Sequence, residues 1–132
     1  MPAAARTKRK PSARTTVPKP ATRFRLRVTA GDAIAIGPGK IALLEAVAKT
    51  GSITSAARSL DMSYRRAWLL LADLDRALRK PAIESTKGGQ RGGGSRVTDA
   101  GLQLIALYRG IEAKAASTCR ADVSRLLRML AP

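Results

Sequence analysis

Apolar residues recur along this chain at two different spacings, and the switches between them mark out its elements. Phe24, Leu26 and Val28 alternate with Arg23, Arg25 and Arg27. That period of two predicts a half-buried strand with a basic outer face. Gly31-Asp32 can turn it toward a second short extended piece from Ala33 to Ile36. Beyond Gly37-Pro38-Gly39 the period becomes helical, starting near Lys40. Ile41, Leu44 and Val47/Ala48 form one apolar face, and Gly51 is placed to end the helix as a left-handed cap. Ser52 is a good N-cap for a second helix, where Ile53, Ala56, Ala57 and Leu60 fall at i, i+3, i+4 and i+7. Asp61-Met62 turns the chain. Ser63 then caps a third helix with a buried stripe of Ala67, Leu70, Leu71, Leu74 and Leu78, and Pro81 lies beyond its end.

The second half carries one more change of period. Ala82 to Thr86 reads as a strand, Lys87 to Arg96 as a basic, glycine-rich loop, and Val97 returns the chain to Thr98, the cap of a fourth helix. Leu104, Leu107, Tyr108 and Ile111 repeat the helical spacing, as do Val123, Leu126, Leu127 and Leu130. The stretch from Thr98 to Met129 forms one long helix or two; a continuous one would run roughly 48 Å at ~1.5 Å per residue. Such a helix outruns its own domain, so a second copy of the chain is its expected partner. The order of elements predicts a mainly α fold with a small β-wing, a winged helix-turn-helix with a long C-terminal helix. The expected organisation is a disordered basic arm over 1–21, a DNA-binding domain over 22–116 and a helical extension over 117–132 for dimerisation.

Charge sharpens this picture. Against 25 Lys and Arg stand 9 Asp and Glu, for a formal net charge of +16 over 132 residues. Residues 1–27 hold Arg6, Lys8, Arg9, Lys10, Arg14, Lys19, Arg23, Arg25 and Arg27 without an acid. A basic domain with a more basic arm expects phosphates, from nucleic acid first and anionic membrane second. The arm also has the Arg-, Ser- and Thr-rich character of an organelle transit peptide, although a DNA-facing arm is the simpler reading. Apolar residues make up 45% and aromatics 3%, so a core must be built from Leu, Ile, Val and Ala. The single cysteine, Cys119, allows no internal disulfide and fits a reducing cytoplasm. No apolar run approaches the roughly 20 residues that span a bilayer.

The candidate chemistry is that of a DNA reader. The third helix opens Ser63-Tyr64-Arg65-Arg66, and a helix N-terminus is electropositive. Arg65 and Arg66 can reach guanine O6 and N7, and Tyr64 a phosphate or base edge. Ser52, Thr54 and Ser63 are placed for phosphates. Lys87, Arg91 and Arg96 suit a wing that follows the DNA backbone. Trp68 is expected to bury its indole against the core. Asp61 stands where many helix-turn-helix motifs have Gly, a mild departure because Asp tolerates the left-handed region. A nucleotide loop would need Gly-Lys-Ser/Thr running into a helix, an order absent here. With no His and one Cys, neither catalytic nor metal-binding residues suggest themselves, and no cofactor or small-molecule effector is evident. The scattered acids read as solvated surface, and Cys119 as packing.

Gly37-Pro38-Gly39-Lys40, Leu43-Leu44-Glu45-Ala46, Thr50-Gly51-Ser52-Ile53, Ala56-Ala57-Arg58, Met62-Ser63-Tyr64-Arg65-Arg66-Ala67-Trp68, Gly88-Gly89 and Gly92-Gly93-Gly94 together resemble the N-terminal DNA-binding domain of molybdate-responsive, ModE-type transcription regulators. The resemblance runs over about residues 22–116, and a more distant one extends to LysR-type regulators. It implies a homodimeric winged helix on an inverted-repeat operator. Full-length members add C-terminal molybdate-binding modules, and the expectation for this chain, which stops at Pro132, is that it lacks one. A non-sequence-specific architectural DNA-binding protein is the alternative reading, and a protein-interaction module a third.

Overall fold

The computed structural model describes residues 18–86 and 94–132. In chain order it forms β1 (Val28–Ala30), β2 (Ala33–Ile36), α1 (Pro38–Thr50), α2 (Ile53–Ser59), α3 (Tyr64–Ala77), β3 (Ile83–Thr86), β4 (Gly94–Val97), α4 (Asp99–Thr118) and α5 (Arg120–Arg128). The strands make two separate antiparallel hairpins, β1 with β2 and β3 with β4. This is the expected mainly α fold with a small wing.

Local sequence explains where the elements start and stop. Pro38 occupies the first turn of α1, where its missing N–H costs nothing and its φ is already helical. The helix ends on Gly51 at φ 74°, whose N–H donates to Val47 O; this left-handed region suits glycine. Ser52 and Ser63 cap α2 and α3 by accepting hydrogen bonds from the N–H groups of Ser55 and Arg66. Thr98 caps α4 in the same way, accepting from the Gly101 N–H. Each cap is worth about 1 kcal/mol to its helix.

The core sits between α1, α2, α3 and the base of the second hairpin. Leu43, Leu44 and Val47 from α1 meet Ala56 and Ala57 from α2, Ala67, Leu71 and Leu74 from α3, and Ala82 and Val97 from the hairpin base. The paired alanines let α2 and α3 cross closely without a large side chain between them. Lys40, the buried charged residue, solvates its ammonium on the carbonyls of Ile34 and Ala35 and so ties β2 to the start of α1.

Four expectations need correction. The first strand begins at Val28, not Phe24. Phe24 and Leu26 are half-buried and their flanking arginines exposed, but the segment is anchored by the Tyr108 hydroxyl, which donates to Leu26 O at 2.7 Å, rather than by a ladder. Trp68 is 50% exposed: at ~100° per residue it projects well to one side of the Ala67, Leu71 and Leu74 stripe. Leu60 is exposed because α2 stops at Ser59, so the fourth position of its apolar series falls past the helix. Ala48 lies on the exposed side of α1, where Leu43 takes its place in the core. The C-terminal stretch resolves into two helices. Cys119 is the joint, at φ −97° and ψ 11° after Ser117 and Thr118, residue types whose side chains compete for backbone groups. Most of the basic arm lies outside the described residues.

Candidate nucleic-acid interface

The turn between α2 and α3 is set by Asp61, which adopts a left-handed φ of 55°. Its N–H donates to Arg58 O and the next, from Met62, to Ala57 O at 3.0 Å. That closure fixes the angle at which α3 leaves the turn. With Ala67, Leu71 and Leu74 buried, the opposite side of α3 must face solvent. Arg65, Leu69 and Arg76 lie there, flanked by Trp68 on one side and Arg66 on the other.

The structure brings four of the expected site residues together. Ser63, Tyr64, Arg65 and Arg66 share the first turn of α3 and are all exposed. Among the described ion pairs none involves Arg65 or Arg66, whereas Arg76 pairs with Asp73 one turn on. The two arginines therefore carry their charge to the surface unneutralised. The Ser52 and Ser63 hydroxyl oxygens are engaged as caps; each hydroxyl keeps its own hydrogen for a phosphate. Thr54 is exposed on α2.

The wing is fastened to the turn after α1 through β4, where the Ser95 N–H donates to Gly51 O at 3.1 Å; within the hairpin Thr86 Oγ1 accepts from the Gly94 N–H at 3.0 Å. On β4 Arg96 pairs with Glu84 across the hairpin, Nε to Oε2 at 2.9 Å. The hydrogen bond to Glu84 pushes the guanidinium pKa still higher. Arg96 thus offers an exposed charge that is shared with an acid, a weaker phosphate ligand than Arg65 or Arg66. Lys87 and Arg91 lie outside the described residues.

Two surface residues escaped the sequence reading. Trp68 and Leu69 are exposed at 50% and 43%. Trp68 joins Ile53, Leu71, Ala72, Ser85 and Ser95 in lining a groove of about 400 Å³ between α3 and the wing. The signal was present in the spacing: Trp68 is four residues from Tyr64 and so shares its exposed side. Among the described residues no group of three or more His, Cys, Asp or Glu could hold a metal ion. No helix among them is long and apolar enough to cross a membrane.

Comparison with known proteins agrees with this geometry. Residues 39–102 match the bacterial regulatory helix-turn-helix protein, lysR family. The chain is 40% identical over 92 residues to the molybdenum-pterin-binding protein MopA of Rhodobacter capsulatus, a match covering 67% of this chain and 35% of that one. It is 35% identical over 94 residues to the molybdenum transport protein ModE of Azotobacter vinelandii, covering 70% and 35%. It is 35% identical over 71 residues to the DNA-binding transcriptional dual regulator ModE of Escherichia coli K12, covering 54% and 27%. The chain spans between about a quarter and a third of the length of these curated relatives.

Proposed function

Because this chain carries a helix-turn-helix domain of the ModE type, we propose that it is a sequence-specific regulator of transcription that binds double-stranded DNA as a homodimer in the cytoplasm. The observation that carries this reading is the exposed first turn of α3, where two arginines without ion-pair partners among the described residues follow a capped helix N-terminus. Arg65 and Arg66 hydrogen-bond guanine edges in the major groove, Tyr64 sits against a phosphate or base, and Ser52, Thr54 and Ser63 bind phosphates. Lys87, Arg91 and Arg96 bring the wing to the backbone, and the N-terminal arm adds affinity through counterion release.

The dimer forms through the C-terminal helices. Leu107 and Ile111 on α4, Leu126 on α5 and Met129 and Leu130 just past its end are all exposed, large apolar residues that a second copy would cover. Two α3 helices then meet successive major grooves about 34 Å apart.

The test is a pair of titrations at fixed salt against a duplex selected from a random pool and against random duplex. Arg65→Ala should lose much of the preference, about 1–3 kcal/mol. Arg96→Ala should weaken both duplexes alike. An unchanged preference in Arg65→Ala would remove α3 as the reading helix. Deleting residues 1–21 separates a regulator, which keeps its preference, from an architectural protein, which loses most of its binding.

A further inference from the structure

We propose that Trp68 and Leu69 are specificity residues that pack on thymine C5-methyl groups in the major groove. The proposal rests on the reading of α3 as the groove-entering helix and names what that helix reads beyond guanine.

Large apolar side chains on the outer side of a basic helix need a partner that is both anionic and locally apolar. Trp68 and Leu69 are half-exposed and stand beside Arg65, Arg66 and Arg76. The core offers them no room, since Ala67, Leu71 and Leu74 already fill the inward face of α3. Arg76 is neutralised by Asp73, but Arg65 and Arg66, which have no ion-pair partner among the described residues, favour a polyanion on this side of the helix. In the major groove the one apolar group on a base edge is the thymine methyl. On its wing side Trp68 lines an open groove with Ile53, Leu71, Ala72, Asp75 and Glu84, so the indole is accessible from that side as well.

The geometry also sets a spacing. Arg65 and Leu69 are four residues apart, roughly 6 Å at ~1.5 Å per residue. A helix lying along the groove therefore places a guanine contact and a methyl contact about two base-pair steps apart, at ~3.4 Å per step. A half-site with guanine and thymine at that separation is expected.

The experiment starts from the full chain and a duplex selected from a random pool. Each thymine in turn is replaced by deoxyuridine, which removes the methyl group and leaves every hydrogen bond. At one or two positions the wild-type protein should bind roughly fourfold more weakly, the transfer free energy of one methyl group. Trp68→Ala and Leu69→Ala should each become indifferent to uracil at one of those positions while still binding random duplex, which shows that they are folded. Trp68 is the chain's single tryptophan, so its emission should change on adding the selected duplex and change less with the uracil version. If a duplex is selected and no uracil replacement matters, or if both alanine variants remain as sensitive as wild type, the proposal is overturned and the reading of α3 stands. If the pool yields no preferred duplex, α3 does not read sequence and the underlying function falls as well.

Discussion

Helices α3 and α4 carry the same kind of apolar repeat and use it differently. In α3 the repeat is closed: Ala67, Leu71 and Leu74 pack against α1, α2 and the hairpin base with almost no exposure. In α4 Leu102, Leu107 and Ile111 remain about half exposed, and the buried positions are Gly101 and Tyr108. What fastens α4 is a half-buried stripe of Gly101, Leu104, Ile105 and Tyr108 against the core, joined by one tyrosine hydroxyl and an arginine fork. α5 has no buried residue at all. One pattern therefore marks two kinds of surface, a face that makes the domain and a face left open to solvent. Only the surroundings tell them apart.

Truncating each stripe is the strongest way to break that contrast. Leu74→Ala removes a fully buried side chain and should cost about 2–5 kcal/mol, a large fraction of a small domain's stability. Leu126→Ser should change the stability of the fold by less than about 0.5 kcal/mol, as an exposed substitution does, while sedimentation shifts toward monomer. Urea titration and sedimentation on the two variants give the comparison directly. Equal loss of stability in both would mean that the fold depends on α5.

The closing of α4 against the wing base can be tested at one glycine. A Cβ on Gly101 would press on the Ala82 carbonyl oxygen and come within 2.6 Å of Val97 Cγ1. Ala82 O also accepts from the Thr98 N–H at 2.9 Å, so it has little freedom to retreat. Gly101→Ala should cost about 3 kcal/mol despite its better helix propensity, since overpacking outweighs the gain of about 1 kcal/mol. Gly110, on the same helix with open space around it, is the control: Gly110→Ala should stabilise.

These contrasts explain what the sequence made legible. The elements of α1 to α3 could be read because their signals are local: Gly51, Ser52 and Ser63 sit at the ends that they cap, and the period of α3 points inward along its whole length. The place of Tyr64, Arg65 and Arg66 on the exposed first turn of α3 could be read for the same reason, being fixed by the cap that precedes them. Trp68 was misplaced because composition argues that an indole is buried, whereas its angular position next to Ala67 argues that it is not, and in this helix geometry prevails. The tie between Leu26 and Tyr108 spans 82 residues and leaves no trace in local spacing. The same holds for the Glu84–Arg96 pair, which exists only once the hairpin register sets those residues opposite each other.

A smaller effect probes the tyrosine contact. Tyr108→Phe keeps the buried ring and removes the hydroxyl that donates to Leu26 O. The loss should be about 1 kcal/mol. It should be accompanied by faster tryptic cleavage after Arg25 and Arg27, because the segment is held there by little else. Wild-type cleavage rates in the variant would show that Phe24 and Leu26 hold the segment by packing alone.

The polar fork between α1 and α4 gives the smallest expected change and a clear sign. Arg109 donates to both Glu45 oxygens, at 2.9 and 2.6 Å, and to Glu112 at 2.7 Å. Hydrogen bonding from Arg109 outweighs the opposing effect of burial and holds the Glu45 carboxyl below its ordinary pKa. A carboxyl with a depressed folded-state pKa stabilises the fold above the ordinary carboxylate range, and that contribution disappears as pH falls through the folded-state value. Both side chains are more than a third exposed, so solvent screening keeps the pair under about 1 kcal/mol. Glu45→Gln should therefore lower the melting temperature by a few degrees near neutral pH, and the gap from wild type should narrow steadily as pH drops below about 4. A gap that stays constant across that range would mean that the fork holds α4 by the shape of its hydrogen bonds and not by charge. In that case the polar fastening of α4 would resemble the packed face of α3 in its indifference to pH.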